Sequence, residues 1–371
     1  MTGHRFLKLG ACMLASAAST LAFATPSAAK PWKPTIIRAA GGATVSVYAR
    51  GLNNPRELKF GPDGNLYVAE GGTGGSGSTV GQCEQVVPPI GPYHGSPTGG
   101  RISRIDSSGT RTTVSDQFPS SIEGLGDVQG VADVAFIGST LYALVGGGGC
   151  SHGVLNHPNG IYRVHADGST TLIADLGTYQ QAHPVAHPEA DDFEPDGTWY
   201  SMIVRNGAFY AVEPNHGELD RVTTNGAISR VVDISASQGH IVPTVIAGHG
   251  VFYVGNLNTF PIVPGSSKIM QINPNGQIRT VATGLTTVLG LAVDNRERMY
   301  ALEMTTTAGF PVPGAGAIVR ISQGKKDTIV SGLDFPAGMT MGPDGALYVS
   351  ANGLGPNAIG GGEILRVRLP D

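Results

Sequence analysis

Three glutamates and one asparagine occupy the same position of a repeated sequence unit, three residues after a tyrosine. They are Glu70, Glu213, Asn256 and Glu303, which follow Tyr67, Tyr210, Tyr253 and Tyr300. Carboxylate and amide oxygens are the hard ligands that Ca²⁺ and Mg²⁺ prefer. Such residues at one structural height predict a site for a divalent metal or a polar ligand. The alternative is that each side chain accepts hydrogen bonds from backbone N–H groups of nearby loops.

Arg56 is expected at the same end of the fold as these glutamates. A guanidinium can hold a carboxylate or a phosphate through paired N–H donors. We therefore predict that Arg56 either binds an anionic ligand or pairs with Glu70.

A short segment concentrates histidines and carboxylates. Its members are His183, His187, Glu189, Asp191, Asp192 and Glu194. A histidine pair with carboxylates can bind a transition metal. The intervening prolines leave no regular face to present these side chains, so the alternative is a solvated loop. No Gly-x-Ser-x-Gly, His-Glu-x-x-His or Walker pattern occurs, and no complete catalytic set is visible.

The candidate residues belong to six copies of one pattern, in which an apolar run, a short turn and a tyrosine-bearing strand follow one another. The tyrosines are Tyr67, Tyr142, Tyr210, Tyr253, Tyr300 and Tyr348. A second alternating hairpin follows, with turns such as Asp167-Gly168 and Asn225-Gly226, whose residues tolerate positive φ. Four short antiparallel strands per copy predict an all-β fold, a six-bladed β-propeller. Five or seven blades are the alternatives.

The two ends of the chain are expected to meet. The sixth copy ends at residues 364–369 and lacks its fourth strand, whereas residues 44–49 form a strand without earlier partners. In a ring, this N-terminal strand can complete the last blade and remove an open sheet edge. We therefore predict that the last blade is closed by the N-terminal strand.

Composition supports this fold class and excludes others. The 371 residues include 55 Gly and 25 Pro, and 14% are charged, against about 25% charged in typical domains. Such a chain suits many short strands joined by turns, and neither a coiled coil nor an acidic disordered tail. The net charge is −4, and no stripe of Lys and Arg is present to follow phosphates. We expect no nucleic-acid partner.

The N-terminus has the features of a secretory signal peptide. Arg5 and Lys8 precede an apolar run over residues 9–24, which ends in small residues. Residues 1–29 are assigned to the signal peptide and a short tail, with cleavage after residue 24 or 29. Residues 30–371 then form one propeller domain without the roughly 20 apolar residues of a spanning helix. We expect a secreted or periplasmic monomer with no membrane span.

Two cysteines remain after signal-peptide removal. Cys83 and Cys150 each follow the second strand of adjacent copies, so both are expected on the same face of neighbouring blades. An oxidising compartment favours a disulfide between them. The alternative is two independent buried thiols.

Specific stretches resemble a known family. They are Gly51-Leu52-Asn53-Asn54-Pro55-Arg56, the following Phe60-Gly61-Pro62-Asp63-Gly64-Asn65-Leu66-Tyr67-Val68-Ala69-Glu70, and the closing residues 342–353. Over roughly residues 45–370, the chain resembles the ScyD/ScyE family of exported bacterial propeller proteins. That group is similar to the wider NHL and SMP-30/gluconolactonase-like six-bladed propellers. The resemblance implies the fold and no particular catalytic residues.

The similarity to the SMP-30 group implies one further comparison. Lactonase-type propellers of that group activate water with a metal cluster, and one ligand is the Glu of an early Glu-Gly-Pro motif. This chain has Asn54-Pro55-Arg56-Glu57 at that place. The difference argues against transferring the lactonase activity.

All long insertions are expected on one side of the ring, which we call the loop-rich face. They are residues 71–100, 146–159, 177–195, 257–267, 305–316 and 352–362. Loops raised on a rigid scaffold commonly carry function. The sequence favours an exported binding or scaffold module for a small molecule, glycan or protein. The alternative is a divalent-metal-dependent hydrolase or lyase, lactonase-like, at the channel mouth.

Overall fold

The computed structural model describes residues 36–188, 193–248, 250–355 and 358–370. The predicted signal peptide, residues 1–29, lies outside the described residues. Glu189, Asp191 and Asp192 of the histidine-rich segment also lie outside them.

Six antiparallel sheets form the blades of the propeller, which confirms the predicted fold. The described chain begins with β1 (Arg38–Ala39) and β2 (Thr44–Asn53). Blade 1 contains β3 (Pro55–Phe60), β4 (Leu66–Glu70), β5 (His94–Ile105), β6 (Arg111–Ile122) and β7 (Val128–Gln129). Blade 2 contains β8 (Val131–Ile137), β9 (Thr140–Val145), β10 (Gly160–Val164) and β11 (Thr170–Asp175).

The next two blades repeat the four-stranded order. Blade 3 contains β12 (Ser201–Arg205), β13 (Ala208–Glu213), β14 (Glu218–Thr223) and β15 (Ile228–Asp233). Blade 4 contains β16 (Pro243–Ala247), β17 (Phe252–Asn256), β18 (Ser267–Ile272) and β19 (Ile278–Leu285).

The last two blades each gain a strand from the start of the chain. Blade 5 contains β20 (Val288–Val293), β21 (Met299–Glu303), β22 (Gly316–Ser322), β23 (Lys325–Leu333) and then β1. Blade 6 contains β24 (Gly338–Met341), β25 (Leu347–Ala351), β26 (Gly362–Arg368) and then β2. Short helical segments lie in connections: a 3₁₀ turn at Cys150–His152, α1 (Leu176–Ala182) and α2 (Ser235–Gln238).

The N-terminal strand closes the ring as predicted. β2 pairs antiparallel with β26 from Thr44 opposite Arg368 to Leu52 opposite Gly362. An ion pair of 2.8 Å between Arg50 and Glu363 spans the same seam. The strand is longer than the predicted residues 44–49. The addition of β1 to β23 in blade 5 was not predicted from the sequence.

The repeated tyrosine has a packing role between blades. Four of the six contact a phenylalanine of the following blade, with ring centroids 4.6–4.9 Å apart: Tyr67 with Phe136, Tyr142 with Phe209, Tyr210 with Phe252, and Tyr348 with Phe60. Aromatic pairs at this distance add to the free energy gained by burial. The repeat therefore preserves a contact between neighbouring sheets.

The predicted disulfide between Cys83 and Cys150 is present, with Cα atoms 6.3 Å apart. It joins the β4–β5 loop of blade 1 to the β9–β10 loop of blade 2. The chain-entropy argument gives about 4 kcal/mol as an upper estimate for a loop of this size. Within the described residues, no helix is both long and apolar enough to cross a membrane.

Deleting residues 36–51 should remove the pairing of β2 with β26 and thereby lower the unfolding temperature. It should also expose the outer edge of β26, and an unpaired sheet edge favours association between molecules. Scanning calorimetry and light scattering measure both effects. A control deletion of residues 36–41 removes β1 alone and should cost far less. Equal melting temperatures for the longer deletion and the intact protein would contradict the closing role of β2.

Candidate functional site

Glu70 ends β4 and is fully buried under the loop-rich face. Its carboxylate pairs with Arg101, at 2.5 Å from Nη2 and 2.9 Å from Nε, and also accepts a hydrogen bond from the Ser103 hydroxyl. The Asn53 backbone N–H donates to it at 2.6 Å. Glu70 is thus held by two residues of its own blade and by the last residue of β2, and its ion-pair partner is Arg101, so the expected alternative pairing with Arg56 is not formed.

The other two glutamates repeat one of these contacts. In each blade, the glutamate that ends the second strand accepts from a backbone N–H two or three residues before the first strand. The donor is Thr198 for Glu213, at 2.8 Å, and Thr286 for Glu303, at 2.6 Å. Burial raises the pKa of Glu303 to about 7. Each carboxylate therefore fixes the connection that leads into its blade.

Asn256 contacts the corresponding connection of blade 4 as a donor rather than as an acceptor. Its Nδ2 donates to the Ile241 carbonyl at 2.9 Å, and its Oδ1 accepts from the Lys268 backbone N–H at 2.8 Å. The hydrogen-bond partners of the four predicted site residues differ from blade to blade. Within the described ranges, no group of three or more His, Cys, Asp or Glu side chains is placed to hold a metal ion. The structure does not bring these four side chains together as one ligand set.

Arg56 lies at the mouth of the central channel, where its side chain is buried. Its Nη2 donates to Asp127 Oδ1 at 2.5 Å and to the Val128 carbonyl at 2.7 Å. Asp127 lies in the turn between β6 and β7, and Val128 is the first residue of β7, which leads into blade 2. Arg56 therefore neutralises Asp127 and anchors the segment that leads into blade 2.

Tyr200 spans the same mouth. It precedes blade 3, and its hydroxyl donates to the Ala337 carbonyl, which precedes blade 6, at 2.8 Å. A cavity of about 40 Å³ remains beside it, lined by Arg56, Asp127, Gln129 and neighbouring residues. A volume of this size accommodates a few water molecules at most. This cavity is therefore too small for a sugar-sized molecule.

A buried polar network lies next to this cavity and was not predicted as a unit. Glu194 accepts from the Tyr93 hydroxyl at 2.8 Å and lies 3.2 Å from His152 Nε2. Gln129 joins the network, 3.0 Å from the Tyr93 hydroxyl and 3.1 Å from His152. Thr198 donates to Gln129 at 2.9 Å. The members come from the β4–β5 loop, β7, the β9–β10 loop and the connection from β11 to β12, so no local spacing in the sequence could reveal the network.

The histidine-rich segment divides in the structure. Glu194 is buried in the network just described, whereas His183 and His187 are exposed. His183 stacks on Tyr179 of α1, with centroids 4.2 Å apart. The described part of this segment therefore does not form a common metal-binding face.

Charged side chains also line the channel interior, where the sequence analysis assigned no site. Lys59 of β3 contacts both oxygens of Asp133 of β8, at 3.0 and 3.2 Å. Glu57 lies 3.9 Å from Lys59 and is 1% exposed. Burial raises the pKa of Glu57 to about 8. Glu57 and Lys59 occupy alternate positions of β3, an innermost strand in which apolar residues are expected. This pattern in the sequence could have indicated a charged site inside the channel.

Replacing Glu213 with Ala should destabilise the protein by about 1.5–3 kcal/mol, the usual effect of removing hydrogen bonds to a charged group. The backbone N–H groups of Thr198, Asn215 and His216 lose their acceptor. Urea unfolding measures the change, with exposed Glu84→Ala as the control. Equal stabilities for the two variants would rule out the structural role.

Glu57 should make folding less favourable as pH rises. Between its unfolded pKa of about 4.3 and its folded pKa of about 8, the folded chain retains a proton that the unfolded chain has released. The free energy of unfolding should therefore fall by up to about 1.4 kcal/mol per pH unit from this group. Glu57→Gln should remove this component, as urea unfolding across that pH range would reveal. A difference between variant and wild type that does not change with pH would contradict the assignment.

No protein-family model matches the chain, and no curated protein sequence matches it. Several solved structures match the fold of the chain. A putative oxidoreductase (glucose dehydrogenase) from Thermus thermophilus has 16% identity and a TM-score of 0.56, covering 88% of this chain and 100% of the other. The soluble aldose sugar dehydrogenase from Escherichia coli has 13% identity and a TM-score of 0.53, with coverages of 88% and 99%.

A gluconolactonase from Xanthomonas campestris is also similar, with 12% identity, a TM-score of 0.52 and coverages of 92% and 96%. At these identities, structural similarity establishes the fold and leaves activity open. The chain is thus a six-bladed propeller similar in architecture to gluconolactonases and sugar dehydrogenases.

Proposed function

We propose that this protein is an exported propeller of the ScyD/ScyE kind, and that it binds a glycan, protein or small molecule through its loop-rich face. The observation that carries the proposal is the distribution of exposed apolar side chains. Nine of the thirteen large hydrophobic residues exposed in the described part of the chain lie in loops of that face: Val80, Val87, Leu125, Leu155, Phe260, Val263, Phe310, Val312 and Ile359. A contiguous exposed apolar patch is typical of interaction sites, and on this face the rings of Phe260 and Phe310 are in direct contact.

Two loop tips supply the most prominent part of this surface. Phe260 and Phe310 are 45% and 60% exposed, and their rings stack with centroids 5.4 Å apart. Ile262 and Gly309 exchange two backbone hydrogen bonds of 2.8 and 3.0 Å, which join the loops of blades 4 and 5. Residues 257–267 and 304–315 contain no charged side chain. The paired tips present a preformed aromatic surface, which lowers the entropy cost of binding.

The small size of the cavity beside Arg56 and Tyr200 supports recognition by the loops rather than by that cavity. This cavity has a volume of about 40 Å³. This is about an order of magnitude smaller than typical small-molecule sites, which measure roughly 300–1,000 Å³. The disulfide between Cys83 and Cys150 supports export, because such bonds persist in oxidising compartments.

The test compares wild type with Phe260→Ser/Phe310→Ser for binding to immobilised glycans and to envelope proteins of the producing cell. The control, Val47→Ser/Leu172→Ser, removes two hydrophobic residues of similar exposure from outer strands. We expect saturable binding by wild type and by the control, and at least a tenfold loss for the tip variant, equivalent to about 1.4 kcal/mol. Equal binding by all three proteins would contradict the proposal.

The alternative function, a divalent-metal-dependent hydrolase or lyase, requires Ca²⁺ or Mg²⁺ at Glu70, Glu213, Asn256 and Glu303. Their present hydrogen bonds would have to be exchanged for metal contacts, so these residues do not fit a shared centre as arranged. Metal at 100 times its Kd would add about 2.7 kcal/mol to stability. A calcium-dependent rise in melting temperature, removed by Glu303→Gln, together with EDTA-sensitive lactone turnover, would favour this alternative over the binding module.

A further inference from the structure

A second cavity opens at the other end of the central channel, away from the loop-rich face. Its volume is about 230 Å³, and its walls come from the first strands of blades 1, 2 and 3. Six of the seven lining side chains are apolar, among them Phe60, Phe136, Met202 and Val204. A cavity of about 150 Å³ with apolar walls is large enough to bind benzene. This cavity can therefore hold a molecule with one ring.

The seventh lining residue is Lys59, which places one polar group in an apolar cavity. Two contacts to Asp133, at 3.0 and 3.2 Å, hold its ammonium group in position. Asp133 is fully buried and also accepts from the Met202 backbone N–H at 2.7 Å. An ammonium has three N–H donors, so at least one remains for a ligand.

The Glu57 carboxylate lies 3.9 Å from the Lys59 ammonium, so its protonation affects the charge of this region. One of its carboxylate oxygens, Oε1, has no hydrogen-bond partner in the described chain. Burial raises its pKa to about 8, and the other titratable groups near it are Lys59, Asp133 and Tyr200. At neutral pH Glu57 is therefore mostly protonated, and the ion pair of Lys59 with Asp133 carries no net charge. A charged ligand would lose its hydration without gaining an unpaired counterion, because Lys59 and Asp133 neutralise each other. An uncharged acceptor gains a hydrogen bond from Lys59 at a lower cost.

We propose that this cavity binds a small uncharged molecule that has one apolar ring and a carbonyl or hydroxyl oxygen, which accepts a hydrogen bond from the Lys59 ammonium. The ring would lie against Phe60, Phe136 and Val204. The site is on the face opposite the paired aromatic tips and is independent of the function proposed for them.

The test uses three fluorinated probes of the same size and different charge, followed by ¹⁹F NMR titration: 4-fluorobenzamide, 4-fluorobenzoate and 4-fluorobenzylamine. We expect saturable binding of the neutral amide at neutral pH, and at least about tenfold weaker binding of both charged probes. Preferential binding of the benzoate or of the benzylamine would overturn the assigned ligand class.

Variants locate the binding in the cavity. Val204→Phe fills the space at a half-buried position and should abolish binding of 4-fluorobenzamide, whereas Val47→Phe, on outer strand β2, should leave it unchanged. Binding that survives Val204→Phe would place the probe elsewhere and refute the site. Circular dichroism and melting verify that both variants are folded.

The role of Glu57 is tested separately by pH. Ionisation of Glu57 adds a negative charge that competes for the Lys59 ammonium, so binding of 4-fluorobenzamide should weaken above about pH 8. Glu57→Gln should bind the amide at neutral pH and lose this decline. An identical pH profile in the variant would contradict the positioning role of Glu57.

Discussion

The structure depends on closing a ring of six sheets through one non-covalent seam. Each sheet buries its apolar side chains against the neighbouring blades, so a sheet at an open end would leave one face in water. Pairing of β2 with β26 prevents this by joining residues more than 300 positions apart, such as Arg50 and Glu363. One of the aromatic contacts between blades, Tyr348 with Phe60, lies across this closure, because it joins blade 6 to blade 1.

Closure of the ring also buries charged side chains around the central channel. The first strands converge there and bring Arg56, Lys59 and Asp133 out of water. A buried charge without a partner costs several kcal/mol, and the structure meets this constraint with ion pairs: Arg56 with Asp127 within blade 1, and Lys59 with Asp133 between blades 1 and 2. Glu57 is also buried there but has no close ion-pair partner, since its carboxylate lies 3.9 Å from Lys59. Burial therefore raises its pKa.

The two faces of the ring differ in chemistry because they differ in their connections. On one face, buried glutamates fix the chain segments that lead into the blades, and a disulfide joins two long loops. This rigid base carries the uncharged tips with Phe260 and Phe310. On the other face, short turns leave the end of the channel uncovered, and Lys59 is the polar group within an apolar space. A single scaffold thus presents an extended surface and a small cavity.

Local pattern was enough to predict the fold. Tyrosines at one repeat position, Asn-Gly and Asp-Gly turns and an unpaired first strand determine six blades and their closure, because strand period and turn chemistry are local properties. The pairing of Cys83 with Cys150 followed from the blade order. The repeat position also grouped Glu70, Glu213, Asn256 and Glu303, for which the sequence predicted either a metal or ligand site or hydrogen bonds to the loop backbone.

The partners of those residues were decided by the tertiary structure. Glu70 selects Arg101 across an inserted loop, Arg56 selects Asp127, and the hydroxyl of Tyr200 reaches a carbonyl 137 positions away. Hydrogen bonds and ion pairs depend on distances of a few tenths of an ångström, and those distances are fixed only when the blades meet. Repeat spacing in the sequence predicted that Glu70, Glu213, Asn256 and Glu303 lie at one height of the ring, because spacing along a strand is a local property, whereas their hydrogen-bond partners were established only when the blades came together.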